Sequence, residues 1–455
     1  MQILINKNDI LSKALNEQKI SKTTYRFIKY VHKLSVDDGI LLYNILTHEL
    51  LFLDNNEKYL IDSVESSVSD YLIKNWFLVP RDFNDIEFIE QVETITSMIK
   101  NIYTAPKIRT FTVLPTTDCN ARCFYCFESG CKHIYMKEKT AQDVAQYIID
   151  NKADGKIRIR WFGGEPLCNT KVIDIICNEL ISNKVDFDST MVSNSYLFDE
   201  NLVKHAKENW RLKMVQVTLD GTEDVYNKVK SYIYKDVTSP YKRVLNNIEY
   251  LLKAGIIAKI RLNMDMHNYD DLYTLTQQLL ERFSEYDNFC IYPHTLYLDS
   301  CEEVTQQTEQ DIINLEKICN RLYDIIKSNN KHKKSEPLLL KNRRMTHCIA
   351  DSDDAIVILP NGNLGKCEHF MDDHFIGSIY SKKIDYNMLN NFKKMVLVWE
   401  KCNDCDLRPM CYHSNECTNR DRLCYEDKVR RKIEGIEKEM MTIYNNFKEK
   451  NHNEA

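Results

Sequence analysis

Three cysteines in one short stretch, Cys119, Cys123 and Cys126, have the spacing of ligands to an iron–sulfur cluster. They follow an apolar run at residues 111–114, which is typical of a buried strand. Three thiolates on one loop can hold three irons of a four-iron cluster and leave the fourth without a protein ligand. Because that iron is free to bind another molecule, the spacing indicates a catalytic cluster. The alternative is a closed zinc site that also uses Cys131.

The segment TTDCNARCFYC, including Tyr125 before the last cysteine, resembles the signature of the radical S-adenosylmethionine (SAM) superfamily. The resemblance implies that SAM chelates the open iron through its amino and carboxylate groups. It also implies that one electron cleaves SAM to methionine and a 5′-deoxyadenosyl radical, which abstracts hydrogen from an unactivated C–H bond. In such enzymes the cofactors supply the difficult chemistry, and the protein binds and orients. A flavodoxin- or ferredoxin-type donor is the implied source of the electron.

The segment Gly163-Gly164-Glu165-Pro166 follows an alternating strand at 157–162. Glycine lets a backbone approach a ligand closely, and a carboxylate or main-chain carbonyls can receive an ammonium group. The segment resembles the GGEP motif of the same superfamily, which implies that Gly163, Gly164 and Glu165 contact the amino group of SAM.

Two later strand ends resemble further segments of the superfamily. Ser193, Asn194 and Ser195 resemble its TNG segment with serine in place of glycine, which implies that Ser193 and Asn194 face SAM. The segment VTLDG at 217–221 resembles its S-x-D-G segment. Downstream, where the family often has H-D-x-x-R with the arginine near the SAM carboxylate, this chain has Lys230. Lysine keeps the charge of arginine but loses its two-pronged geometry.

On the fifth predicted strand, Arg261, Asn263 and Asp265 alternate with apolar residues and therefore share one face. If that face is the interior of a barrel, these residues contact SAM or substrate. If it is the surface, they are ordinary solvated side chains. No residue stands out as a catalytic base.

Seven further cysteines lie toward the carboxyl end, enough for one four-ligand and one three-ligand cluster. Their spacing resembles the SPASM domain, which binds two auxiliary [4Fe–4S] clusters, and zinc binding is the alternative. Five residues separate the last two cysteines of the central group where the family has three. The resemblance assigns auxiliary cluster I to Cys348, Cys367 and Cys417, and auxiliary cluster II to Cys402, Cys405, Cys411 and Cys424.

The hydrophobic pattern predicts an α/β fold with six strand–helix units, a partial (β/α)6 TIM-like barrel with chemistry at the carboxyl ends of its strands. The predicted barrel strands are 109–115, 157–162, 186–192, 213–219, 256–264 and 288–293. The predicted domains are an α+β region at 1–105, the barrel at 106–300, a helical linker at 301–345, the SPASM domain at 346–426 and a C-terminal helix and tail at 427–455. The first region resembles the winged-helix-like leader-recognition modules of peptide maturases, and a simple cap on the barrel is the alternative.

Composition narrows the class of protein further. The net charge is −6 with both signs interspersed, which argues against a nucleic-acid partner. No apolar run approaches the roughly 20 residues of a membrane span, and the chain starts without the pattern of a signal peptide. We therefore expect a cytoplasmic protein whose cysteines bind metal rather than form disulfides.

Together these features predict a radical SAM/SPASM maturase that installs a thioether or carbon–carbon crosslink in a ribosomally synthesised precursor peptide, leader plus core. The additional N-terminal region and the three-cysteine auxiliary site favour this function. The predicted cofactors are SAM and three [4Fe–4S] clusters. The alternatives are an anaerobic sulfatase-maturing (formylglycine-forming) oxidase and, from another class, a non-catalytic iron–sulfur electron carrier.

Overall fold

The computed structural model describes residues 1–6, 14–15, 17–19, 24–59, 67–102, 107–235, 239–296, 309–329, 348–370, 373–381, 383–394, 400–411, 414–417 and 426–454. The chain divides into two compact units. One comprises Met1–Thr104, Lys334–His347 and Asn391–Ala455, and the other comprises Ala105–Lys333 and Cys348–Asn390. Among the described helices, none has the length and apolar character needed to cross a membrane.

The N-terminal part of the first unit is an antiparallel sheet with helices. Its elements are β1 (Gln2–Ile5), β2 (Tyr25–Phe27), β3 (Val31–Val36), β4 (Gly39–Asn44), β5 (Glu49–Asp54), α1 (Asn55–Tyr59), α2 (Ser67–Lys74), β6 (Leu78–Pro80) and α3 (Asp85–Ile102). Four strands form a sheet in the order β1-β5-β4-β3, and β2 pairs with β6 separately. Strands β4 and β5 form an antiparallel hairpin, and its two outer edges are paired with β3 and β1.

The second unit contains one sheet of nine strands among its described residues. Its strands are β7 (Thr110–Val113), β8 (Ile157–Trp161), β9 (Phe187–Val192), β10 (Leu212–Leu219), β11 (Ile257–Met264), β12 (Phe289–Thr295), β13 (Ala355–Ile358), β14 (Asn363–Gly365) and β15 (Gly377–Ser378). The helices that follow them are α4 (Glu138–Asn151), α5 (Thr170–Ser182), α6 (Glu200–Glu208), α7 (Glu223–Lys230), α8 (Pro240–Lys253), α9 (Tyr269–Phe283), α10 (Glu309–Asn329) and α11 (Tyr386–Lys393).

All six predicted strands are present as β7 to β12, and each pairs in parallel with its neighbour in the chain. The parallel α/β fold predicted from the sequence is therefore confirmed. Alternation explains these strands locally: in β8, Ile157, Ile159 and Trp161 are buried and Arg158 is exposed. The hairpin β13–β14 was expected in a separate C-terminal domain, but β13 pairs in parallel with β7 and extends the same sheet.

The carboxyl end of the chain folds with the N-terminal region of the first unit. Helix α12 (Glu426–Glu454) contributes Met440 and Tyr444 to the same hydrophobic core as Leu42 and Leu51 of the N-terminal sheet. Burying these apolar side chains together couples the two ends of the chain energetically.

The segment that carries the last described cysteines is held to the same unit by a buried ion pair. Arg408 is 2% exposed, and its Nε and Nη2 donate to the two carboxylate oxygens of Glu93 on α3 at 2.9 and 3.0 Å. This two-pronged pairing fixes the segment between Cys405 and Cys411 against α3.

Candidate functional site

The cysteine loop joins β7 to α4 and is closed at its base by hydrogen bonds. The Thr117 N–H donates to the carbonyl of Ile134 at 3.0 Å, and the Met136 N–H donates to the carbonyl of Pro115 at 2.9 Å. Within this closed loop, the cysteines border a cavity of about 320 Å³. The residues around the cavity are Thr117, Cys119, Ala121, Arg122, Cys123, Phe124, Cys126, Glu128, Ser129, Gly130 and His133.

Burial raises the pKa of all three thiols, to about 11 for Cys126. A buried thiolate is unfavourable unless a cation or a metal stabilises it, and thiolates are the form that binds iron. The ammonium group of Lys230 acts in this direction, because it lowers the pKa of Cys123 against the effect of burial. The donor set therefore fits a cluster bound in the cavity.

Polar atoms without partners also surround the cavity. Glu128 is 8% exposed, and neither of its carboxylate oxygens has a hydrogen-bond partner in the described part of the chain. The amide nitrogen of Asn120 is also buried and has no hydrogen-bond partner among the described residues. Since buried polar groups are nearly always hydrogen-bonded, these atoms are suited to a bound ligand.

Cys131, considered above as a fourth zinc ligand, lies outside the cavity lining and packs against Leu114, Val357 and Leu359. In the parts of the chain that the structure describes, no group of three or more His, Cys, Asp or Glu side chains is arranged to hold a single metal ion.

Gly163 and Gly164 pack directly on the cysteine loop. A Cβ atom at Gly164 would lie 2.2 Å from the carbonyl oxygen of Asp118, and one at Gly163, where φ is +114°, would lie 2.2 Å from that of Thr116. The N–H of Gly164 donates to the same Thr116 carbonyl at 3.2 Å. Close approach to the cysteine loop, rather than to a ligand, therefore accounts for the glycines.

The carboxylate of Glu165 is fully buried and binds the protein itself. It accepts hydrogen bonds from the N–H groups of Leu167 at 3.1 Å and Asn194 at 2.7 Å, and from the hydroxyl of Ser193 at 2.8 Å. Burial raises the pKa of Glu165 to about 7 although these three donors lower it. We expected this carboxylate to receive an ammonium group, but its contacts instead join the end of β8 to the end of β9.

The segment after β9 reaches the cysteine loop. The amide of Asn194 donates to Asn120 Oδ1 at 2.6 Å and lies 3.8 Å from the sulfur of Cys119. Ser195 has φ of +61°, a conformation that favours glycine. This explains why the family segment that it resembles has glycine here.

Lys230 lies at the end of α7, a helix that the sequence analysis did not predict, although Glu223 and Asp224 form an acidic first turn. Its ammonium group donates to Tyr125 Oη at 2.9 Å and Thr218 Oγ1 at 2.8 Å and pairs with Asp220 Oδ2 at 3.0 Å. The buried ammonium group thus has two hydrogen-bond acceptors and a carboxylate that balances its charge.

Lys230 also holds the cysteine loop through its main chain, because its carbonyl accepts from the N–H of Arg122 at 2.8 Å. The Tyr125 hydroxyl donates to Asp220 Oδ1 at 2.6 Å. The sequence analysis matched Asp220 to a family segment but assigned it no role. Lys230 therefore contacts the loop and Asp220, where we had expected a SAM carboxylate contact.

The three polar residues of the fifth strand are not on the surface. The amide of Asn263 donates to Tyr125 Oη at 3.0 Å and to Asp220 Oδ1 at 3.2 Å, and Arg261 contacts His294. Asp265 instead accepts from two N–H groups of the turn that follows β11. The interior interpretation is therefore the right one for Arg261 and Asn263.

The C-terminal cysteines fall in both units. Cys348 and Cys367 belong to the second unit, and the first unit contains Cys402, Cys405, Cys411 and Cys417. Cys424 lies outside the described residues. The assignment of these cysteines to auxiliary clusters remains a prediction.

Residues 113–279 match the family model described as the radical SAM superfamily. The chain contains a radical SAM domain. It is 24% identical over 261 residues to the radical SAM cyclopropyl synthase TigE of Paramaledivibacter caminithermalis, covering 50% of this chain and 55% of TigE. It is 28% identical over 152 residues to a probable GTP 3′,8-cyclase of Methanococcus maripaludis, covering 33% and 48%. The chain spans about half the length of the curated relatives it matches.

Two solved structures are similar to this chain over most of its length. His-tagged anSMEcpe with bound AdoMet has a TM-score of 0.57 at 17% identity and covers 75% of this chain and 100% of its own. SuiB of Streptococcus suis has a TM-score of 0.52 at 16% identity and covers 88% and 96%. At these identities the similarity shows a shared fold.

We predict that Gly164→Ala disrupts the cysteine loop. The added methyl group must displace the Asp118 carbonyl, so iron retention and SAM affinity should fall together, measured by iron analysis and calorimetry after anaerobic reconstitution. Gly435→Ala is the control, because that helical position has open space and should gain about 1 kcal/mol of stability. Lost SAM affinity with full iron content would show that the glycine serves the ligand rather than the loop.

We predict that Lys230→Met lowers the free energy of unfolding by about 3–5 kcal/mol, because it leaves Asp220 buried without its cation. The variant should also retain less iron, since Tyr125 loses a hydrogen bond and Cys123 loses a nearby positive charge. Urea denaturation and iron analysis measure the two effects. Lys228→Met on the exposed side of the same helix is the control. Equal stability and iron content in the two variants would contradict the role assigned to Lys230.

Proposed function

We propose that this radical SAM enzyme modifies a ribosomally synthesised precursor peptide. The observation that carries the catalytic part is the contact between the cysteine loop and the three strand-end segments. Gly164, Asn194 and Lys230 each bond to that loop. The segments that resemble SAM-binding motifs therefore all contact the loop that carries the three cysteines.

In this proposal Cys119, Cys123 and Cys126 hold the first cluster, and SAM occupies the space beside it. When bound, the cluster and SAM together supply a radical able to abstract hydrogen from a C–H bond. The main chain of Gly163 and Gly164 and the segment at Ser193 and Asn194 orient SAM. The SPASM cysteines named above hold two auxiliary clusters, and a flavodoxin- or ferredoxin-type protein supplies electrons.

Peptide modification is supported by the structural relatives. SuiB has been solved bound to the precursor peptide SuiA, with a TM-score of 0.52 and coverage of 87% of this chain. The relative anSMEcpe has been solved with bound AdoMet and the Cp18Cys peptide. The proposed product is a thioether or carbon–carbon crosslink within the peptide.

A sulfatase-maturing type of oxidase is the second candidate, because anSMEcpe gives the higher TM-score of the two relatives. Coverage favours the peptide crosslinking function, since SuiB aligns with 88% of this chain and anSMEcpe with 75%. An electron carrier without catalysis would not need SAM-type segments in contact with the cysteine loop.

We expect anaerobically reconstituted protein to hold about twelve irons per chain as three four-iron clusters. Replacing Cys119, Cys123 and Cys126 with alanine should remove about a third of that iron and abolish formation of 5′-deoxyadenosine. Cys319→Ala, a cysteine outside all three predicted sets, is the control. Stoichiometric zinc, or about four irons in the unmodified protein, would refute the three-cluster prediction.

The N-terminal sheet is the proposed leader-binding site, and the leader is proposed to bind as an additional strand at an edge of that sheet. Both strands of the hairpin β4–β5 have partners, so a leader strand would add to β3, the longer of the two edge strands. Because the N-terminal sheet shares its core with α12, deleting residues 1–100 would expose that core. A test of leader binding should therefore use single substitutions in the full chain.

We predict that a proline in β3 abolishes leader binding when it replaces a residue whose N–H points away from β4, toward the unpaired edge. Successive N–H groups of a strand point in opposite directions, so one of Lys33→Pro and Leu34→Pro removes an outward N–H and the other breaks pairing with β4. The variant that keeps its melting temperature should lose affinity for full-length precursor in fluorescence anisotropy. Wild-type affinity in that folded variant would exclude strand addition at β3.

A further inference from the structure

Arg261 is a partly buried cation that forms no ion pair with a carboxylate among the described residues. Its Nη2 bonds to Nδ1 of His294 at 2.9 Å. Its Nε is buried and has no hydrogen-bond partner in the same part of the chain. Proteins rarely bury a guanidinium group without an anion, because desolvation of a charge is costly unless it is paired.

Asp220, the carboxylate that acts electrostatically on Arg261, already has other partners. It pairs with Lys230 and accepts a hydrogen bond from Tyr125. The two predicted cations of the site therefore differ: Lys230 has two hydrogen bonds and a carboxylate partner, whereas the Nε donor of Arg261 has no partner among the described residues.

The position of Arg261 distinguishes it from the SAM segments. It lies on β11 beside Thr218 of β10 and Tyr292 of β12, on the same strand face as Asn263, which contacts the cysteine loop. Its hydrogen-bond partner His294 is on β12, the strand at the end of the sheet. The segments that resemble superfamily motifs instead follow β8, β9 and β10.

The resemblance to radical SAM enzymes implies that the carboxylate of SAM binds the open iron beside the three cysteines. Lys230 is the cation that contacts this loop, through Tyr125, whereas the hydrogen-bond partner of Arg261 lies on β12. In the proposal below, an anion bound by the unused Nε of Arg261 therefore comes from a second molecule rather than from SAM.

We propose that Arg261 binds the carboxylate of an acidic residue of the substrate peptide. This inference rests on the proposed peptide-modifying function and adds a substrate class to it. A guanidinium group and a carboxylate form two parallel N–H···O bonds, which would fix the peptide in distance and orientation relative to the cavity. His294 helps to orient the guanidinium group through its hydrogen bond with Nη2.

Matched probes test this proposal on the cluster-loaded enzyme with SAM present. The probes are acetylated, amidated tripeptides that differ only in the central residue, Ala-Asp-Ala and Ala-Asn-Ala, measured by isothermal titration calorimetry. The wild-type enzyme should bind the aspartate probe about tenfold or more tightly than the asparagine probe. Arg261→Gln should remove that preference, and Arg261→Lys should keep part of it, since it retains charge but not the two-pronged geometry.

The control is Arg282→Gln, the same substitution at an arginine that is paired with Glu249 on the outer helices. It should keep the preference of the wild-type enzyme. Equal binding of the two probes by the wild-type enzyme, a result that needs no variant, would overturn the proposal and show that the chain supplies the anion itself. A preference that survives in Arg261→Gln would overturn it as well.

Two further outcomes separate this inference from the function on which it rests. If Arg261→Gln weakens SAM binding but keeps the preference between probes, the residue binds SAM and the proposal is wrong. If the Arg261-dependent preference is found but the enzyme leaves full-length precursor unmodified by mass spectrometry, the carboxylate site stands and the peptide-maturing function fails.

Discussion

The buried ion pair between Lys230 and Asp220 is the constraint on which the site depends. Lys230 comes from α7 and Asp220 from the end of β10, and both bond to Tyr125, which lies between two of the cluster cysteines. Because either charge would be costly to bury alone in this interior, removing one of the two residues should destabilise the site. The cysteine loop is thereby fixed to the sheet by contacts distant from it in sequence.

A second set of contacts fixes the opposite side of the loop. Gly163 and Gly164 lie too close to its carbonyl groups for any side chain, and Glu165 ties the following segment to Asn194. The protein's own contacts therefore hold the loop that carries the three thiols from both sides. Metal binding should consequently depend on residues that never touch iron.

Local periodicity was sufficient to predict the strands of the catalytic sheet and the loop that carries the cysteines. Alternation of apolar residues, as in β8, predicts which side chains are buried. The six strands β7 to β12 also lie in the sheet in the order in which they follow one another in the chain. The sequence pattern also identified Ser195 as a position where the related segment has glycine, which agrees with its left-handed backbone.

The errors concern contacts between residues far apart in sequence. The pattern could not show that β13 returns to pair with β7, or that α12 completes the N-terminal core. The contacts of Glu165 and Lys230 with the protein itself were also not predicted, since a charged residue in a motif gives no indication of the backbone or side chain that it meets. Only the three-dimensional packing shows that these charges bind the protein itself.

The most direct test of the central claim is electron paramagnetic resonance of the reduced first cluster. In a variant that keeps Cys119, Cys123 and Cys126 but lacks the seven C-terminal cysteines, dithionite should produce the signal of a single four-iron cluster. Adding SAM should shift its g-values, because SAM would bind the iron that has no protein ligand. A signal that SAM leaves unchanged, in protein with a full cluster, would contradict a catalytic site at this loop.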